Sequence, residues 1–110
     1  MRNSIFGVAI FASLISVLPA SAAPEEASGT IVSYECGDNC YLTIMTKDGE
    51  EITALCAAVG CRVWNDEAAM PEELIDRGVT VTMGTGQQFD GSGNNMGDFS
   101  AFTSLVVDEQ

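Results

Sequence analysis

Four cysteines, Cys36, Cys40, Cys56 and Cys61, are the residues of this chain best suited to chemistry. Their side chains could exchange disulfides with a substrate, hold zinc as four thiolates, or be joined as structural crosslinks. Redox proteins typically pair cysteines as Cys-x-x-Cys, with one thiol acidified by a helix N-terminus or a cation. Here three residues separate Cys36 from Cys40, with Asp38 between them and Glu35 alongside. Carboxylates so placed oppose thiolate formation, which leaves a thiol-disulfide oxidoreductase the weakest reading. The chain contains no histidine. That removes Ser-His and Cys-His nucleophile pairs and every imidazole metal ligand, and no catalytic residue is assigned.

Oxygen ligands form the second candidate set. Asp90, Ser92, Asn94 and Asp98 fall at near-alternate positions of a Gly/Asn/Asp-rich stretch, a pattern that could converge on calcium. Two departures weaken it: the sixth position is Asn95 where a calcium loop has glycine, and the twelfth is Ala101 where it has a bidentate Glu. The plainer reading is a flexible hairpin loop that uses Gly and Asn for positive φ. We therefore expect no metal and no cofactor, with calcium as the one weak candidate.

Charge narrows the partners. Sixteen Asp and Glu stand against four Lys and Arg, a net charge of -12, the opposite of the basic surface that nucleic-acid binding requires. The pairs Glu50-Glu51 and Glu72-Glu73 fall at a strand start and a helix start, where solvation and the helix dipole account for them. Such a surface would steer cationic partners, although net charge speaks first to solubility. Tyr41 and Met45 share a strand face and offer a small contact stripe.

The beginning of the chain reads as an export signal. Arg2 supplies a positive start, Ile5 to Leu18 is apolar but for Gly7, Ser13 and Ser16, and Pro19 precedes Ala20-Ser21-Ala22. The apolar run is shorter than the roughly 20 residues of a membrane span. We expect a signal peptide over 1–22, cleaved after Ala22 or Ala23, with no integral membrane anchor afterwards and a periplasmic or secreted product. Removal of Arg2 leaves 16 acids against Lys47, Arg62 and Arg77, a net charge of -13. Four cysteines in so small an exported domain are read as disulfides. A flexible leader is expected over 23–28, one domain over 29–107 and a frayed tail over 108–110.

The elements that must position these residues follow from periodicity. Thr30–Glu35, Tyr41–Thr46 and Glu51–Cys56 read as three strands. Lys47-Asp48-Gly49 suits a turn closed by a left-handed glycine, which sets Ile44 opposite Ile52, Leu42 opposite Ala54 and Cys40 opposite Cys56. Gly37-Asp38-Asn39 is a second three-residue turn with Asn39 in the left-handed position, pairing Cys36 with Cys40, Tyr34 with Leu42 and Val32 with Ile44. Two cystine connectivities fit: Cys36–Cys40 with Cys56–Cys61, which we prefer, or Cys40–Cys56 with Cys36–Cys61. Trp64–Met70 is expected to begin a short helix that Pro71–Gly78 completes. Val79–Met83 and Phe102–Val107 are the fourth and fifth strands, joined by a long loop over Gly84–Asp98.

Three meandering strands, a short helix, then two strands is the order of the OB-fold, a five-stranded Greek-key barrel. A mostly β, OB-like barrel with its helix between strands three and four is therefore expected, with an SH3-like barrel as the alternative. The stretches Glu35–Ile44 and Gly86–Asn94 also resemble segments of small uncharacterised exported bacterial proteins with an OB-fold-like domain. That resemblance implies a periplasmic location and brings no activity or ligand with it. The expected function is a non-enzymatic, disulfide-stabilised binding domain for a peptide, a cationic ligand or an envelope protein. The alternative is a structural or oligomer-forming subunit of a cell-envelope assembly.

Overall fold

The computed structural model describes residues 25–109. The expected signal peptide, its expected cleavage site and the first part of the expected leader lie outside the described residues, as does Gln110. Five strands, β1 (Glu25–Cys36), β2 (Cys40–Thr46), β3 (Glu51–Cys56), β4 (Gly78–Phe89) and β5 (Asn95–Val107), close into one barrel. Their order around it is β1-β2-β3-β5-β4, returning to β1. With the short helix α1 (Arg62–Glu67) between β3 and β4, this is the OB-like barrel expected from the sequence.

Closure depends on β1. Its first half pairs with β4, from Glu25 opposite Met83 to Thr30 opposite Gly78, and its second half pairs with β2. The residues expected to be a flexible leader are thus partly strand: Glu25–Ser28 lie in the ladder, and Ser28 Oγ is 3.1 Å from Thr80 Oγ1. Their own β-propensity is low, so it is the waiting edge of β4 that orders them. Gly29 pairs with both Thr46 and Val79, where β1 passes from one neighbour to the other. A Cβ there would lie 2.0 Å from the Met45 carbonyl oxygen, so only glycine fits the crossing.

Beyond Gly29 a bulge shifts the register. Ile31 faces Ile44 and the next pair is Ser33 with Thr43, so Ile31, not the expected Val32, stands opposite Ile44. The extra residue bends the strand into the barrel's curve. The Ile31 backbone donates to the Arg77 carbonyl and accepts from the Asp76 N–H, taking the chain after the helix as its partner. The β2–β3 register follows expectation from Leu42–Ala54 to Ile44–Ile52. Its turn is closed by Gly49 N–H to Thr46 O at 2.9 Å, with Gly49 at φ +87°.

Two expectations fail after β3. The helix ends at Glu67, where Ala68 turns left-handed (φ 56°), and only a single 3-10 turn follows over Glu72–Leu74. Pro71 lacks the N–H a continuous helix would need, and its ring disfavours a helical Met70. The larger failure is the expected loop over Gly84–Asp98. It is mostly ladder: β4 and β5 pair from Val79–Val107 out to Phe89–Asn95. Only Asp90–Asn94 forms the turn, closed by Asp90 N–H to Asn94 O at 2.9 Å.

The interior is filled by Ile31, Leu42, Ile44, Ala54, Cys56, Val79, Val81 and Phe102, with Cys61 sealing one end. Alternation along each strand selects these residues. On β5 a second bulge, between the pairs Ser104–Thr82 and Phe102–Met83, breaks the alternation. After Phe102 it is therefore Leu105 and Val107 that pack on the core.

Candidate functional site

The cysteines form two local bridges, Cys36–Cys40 and Cys56–Cys61, with Cα atoms 4.0 and 5.7 Å apart. This is the preferred connectivity. Cys36 and Cys40 face each other in the ladder as expected, whereas the β2–β3 ladder starts at Tyr41–Leu55, so Cys40 and Cys56 are not partners. Cys56 instead reaches Cys61 in the 3-10 turn Val59–Cys61 that leads into α1.

A small polar network ties both bridges to the helix. The Tyr34 hydroxyl donates to Asn65 Oδ1 and lies 3.3 Å from Cys36 Sγ. Asn65 Nδ2 donates to the Cys56 carbonyl at 2.8 Å. Trp64 stacks edge-on against Tyr34, ring centres 5.9 Å apart, and packs on the core. Burial raises the Tyr34 phenol above its ordinary value, so it stays a neutral donor. These residues fasten α1 to the mouth of the barrel, between the two bridges.

The surface of interest lies beside this mouth, where the β1–β2 turn meets the outer half of the β4–β5 hairpin. Asn39 does not take the left-handed backbone expected of it; among the described non-glycine residues only Ala68 and Asp76 have positive φ. Its side-chain amide instead clasps the Phe89 backbone, Nδ2 donating to the carbonyl at 2.9 Å and Oδ1 accepting the N–H at 3.0 Å. Gln88 Nε2 donates to the Tyr41 hydroxyl, and Phe99 meets Tyr41 edge-on at 5.9 Å. The hairpin therefore packs against the side of the sheet facing away from the core. That covering explains why Leu55, which a Cβ on Gly86 would approach to 3.1 Å, is only 6% exposed.

Between turn and hairpin is an open cleft of about 280 Å³, lined by Asp38, Tyr41, Phe89, Asp90 and Met96 among others. Phe89, Met96 and Phe99 remain 42, 62 and 40% exposed. Tyr41, expected to face outward beside Met45, does face away from the core but is only half-exposed, because the hairpin covers it.

The four oxygen-ligand candidates divide. Asp90 Oδ1 accepts the backbone N–H of Ser92 and of Asn94, at 2.9 and 2.8 Å, and Oδ2 accepts Asn94 Nδ2 at 3.0 Å. The Asn94 backbone and side-chain donors, with smaller help from Ser92 and Gly93, hold the carboxyl below its usual range. Asp98 sits further down β5, opposite Gln87. The structure thus joins Asp90, Ser92 and Asn94 in a turn and leaves Asp98 on the ladder; among the described residues no three acidic or cysteine side chains gather as a metal group would require.

Sequence reading missed Asn39 and Gln88 as contacts, assigned Phe89 and Met96 to a loop, and placed Phe99 in no element. The alternation of Gly84, Gly86 and Gln88 on one side of β4, and of Phe99 and Ala101 on one side of β5, was the available signal. Comparison with protein-family models, with curated proteins and with solved structures finds no match. Among the described residues no helix is long and apolar enough to cross a membrane.

Proposed function

We propose that this chain is an exported, non-enzymatic binding domain of the periplasm or extracellular medium, whose working surface is the rim formed by the β1–β2 turn and the β4–β5 hairpin. The observation that carries the reading is the cluster of exposed apolar side chains around Tyr41. Phe89, Met96 and Phe99 keep 40% or more of their surface in water, although the same hairpin supplies Phe102 to the core. Aromatic residues and methionine are enriched at protein interfaces relative to the rest of the surface. Two cystines in a small domain accord with an oxidising compartment. The carboxylates of Glu35 and Asp38 beside the rim bridge argue against a working redox pair. The partner classes consistent with the charge are a basic peptide, a cation or a basic face of an envelope protein.

The test compares retention of envelope components by the oxidised wild-type protein and by a Phe89→Ala/Phe99→Ala variant. Val106→Ser, at a residue 62% exposed elsewhere on the barrel, is the control. Loss of a retained partner with the double variant but not with the control supports the reading. Equal retention by all three proteins overturns it.

A further inference from the structure

We infer that the cleft between the β1–β2 turn and the β4–β5 hairpin is a receptor for a guanidinium group carried by a basic peptide segment. The inference rests on the binding-domain reading above and adds the chemistry of the ligand. Three features of the cleft point the same way.

Its size comes first. At about 280 Å³ it lies at or below the small end of sites that enclose whole small molecules, and it is open, so it suits one side chain of a longer ligand.

Its walls are second. Tyr41 and Phe89 supply aromatic rings and Met96 a polarisable thioether. A flat, weakly hydrated guanidinium stacks on such walls, whereas a compact, strongly hydrated ammonium gains less.

Charge is third. Asp38 comes from the turn and Asp90 from the hairpin tip, and the Asp38 carboxylate lies against the tip, its Oδ1 3.4 Å from where a Cβ on Gly91 would be. Each loop therefore brings one carboxylate to the cleft. Outside the signal segment the only basic residues are Lys47, Arg62 and Arg77, and none of them lines the cleft. A hard metal ion fits less well, because it demands several converging oxygens with free lone pairs. The Asp90 oxygens already accept three N–H donors, leaving that carboxylate mainly as a fixed negative charge.

The clasp makes the receptor rigid. Asn39 bonds both backbone groups of Phe89, and Cys36–Cys40 braces the turn that carries Asn39. The aromatic wall and the turn carboxylate are thereby held in fixed relation before any ligand arrives, which reduces the ordering cost of binding.

The experiment is a titration of the oxidised protein with N-acetyl-arginine amide, followed by amide chemical shifts, with N-acetyl-lysine amide and calcium chloride as comparison probes. The expected result is a saturable shift confined to residues 38–41 and 88–96, with arginine binding more tightly than lysine. Phe89→Ala should weaken arginine binding by roughly two- to fivefold, the loss of one exposed cation–π wall. Asp38→Asn should weaken it by a similar factor, the loss of one exposed charge partner.

Both substitutions are at exposed or rim positions, and an unchanged shift pattern for the core residues certifies the fold of each. Shifts that grow without saturation and spread over the acidic residues overturn the inference, as does lysine binding equal to arginine or indifference to both substitutions. If arginine fails here while envelope retention still depends on Phe89 and Phe99, the ligand assignment falls and the binding-domain reading stands. Loss of both brings down the two together.

Discussion

The two halves of the β4–β5 hairpin are one continuous ladder held together by different forces. In the inner half, Gly78–Met83 against Phe102–Val107, alternate side chains enter the barrel: Val79, Val81 and Phe102 are 0 or 1% exposed. In the outer half, Gly84–Phe89 against Asn95–Ala101, β4 keeps its alternation with Gly84, Gly86 and Gln88 on the side facing the sheet, while a further bulge shifts β5 between the pairs Gln88–Gly97 and Phe89–Asn95. There the hairpin is held by a side-chain clasp and by contacts with Tyr41. Burial thus carries the inner half, whereas in the outer half burial is limited to Ala101 and Leu55 and hydrogen bonds to a cystine-braced turn hold the rest. A core can be anchored without a partner, whereas a rim tied by a few polar contacts leaves its aromatic residues available for one.

The sharpest way to break this comparison is to truncate an aromatic residue in each half. Phe102→Ala should destabilise the domain by about 3–5 kcal/mol, the usual cost of emptying a fully buried aromatic site. Phe99→Ala should cost about 1 kcal/mol, since only an edge contact and partial burial are lost. Chemical denaturation measures both, and equal losses would show that the outer half is as much a part of the core as the inner.

The two cystines extend the contrast. Replacing Cys56 and Cys61 together by Ser should cost about 3–5 kcal/mol, because loop closure is lost and hydroxyls enter a dry site. The same double replacement at Cys36 and Cys40 should cost about 2 kcal/mol, the loop-closure contribution of a short ring. Amide exchange adds a local readout. Loss of the rim bridge should speed exchange in Phe89 and its neighbours while the core amides keep their protection.

Asn39→Ala isolates the clasp. Two hydrogen bonds to the Phe89 backbone disappear, each worth about 0.5–1.5 kcal/mol, and partial exposure lets water replace them. A loss of about 1 kcal/mol is expected, with faster exchange of the Phe89 N–H. Unchanged exchange there would mean that Tyr41 and Phe99 alone hold the hairpin down.

The smallest expected effect is at the hairpin tip. Asp90 is depressed in the folded chain by the Asn94 and Ser92 donors. Its contribution is therefore present above the ordinary carboxylate range and lost as pH falls through the lower folded value. Proton titration by NMR should find Asp90 below the ordinary aspartate value, with the turn loosening at acid pH and the barrel unaffected. Calcium should leave the thermal midpoint unchanged, because the Asp90 oxygens are occupied and Asp98 lies on the ladder. A rise in midpoint with calcium would reinstate the oxygen-ligand reading.

Legibility followed the hydrophobic pattern. The β2–β3 register could be read because Lys47-Asp48-Gly49 admits few turn geometries and the apolar residues on either side then match. Leu42, Ile44 and Ala54 could be placed on one face of the sheet for the same reason. Val32 could not, because a bulge is a response to curvature and leaves no mark in alternation. Gly84–Asp98 resembled a loop because its outward strands are rich in Gly, Asn and Asp; what makes them strands is the partner opposite. Of the rim, Tyr41 was visible as an outward aromatic residue, and Asn39 was visible only as a turn former.

Composition and local pattern by themselves determined the order of the elements along the chain, the β2–β3 register and the acidic, histidine-free character of the chain. Those properties depend on side-chain type and near-neighbour spacing, which a linear sequence records directly. The tertiary structure alone decided which two bridges form, where β1 changes partner, and that the outer hairpin folds onto Tyr41 and Leu55. Each of those depends on contacts between residues distant in the chain, and each is a matter of closing a curved sheet, which no local window of residues can specify.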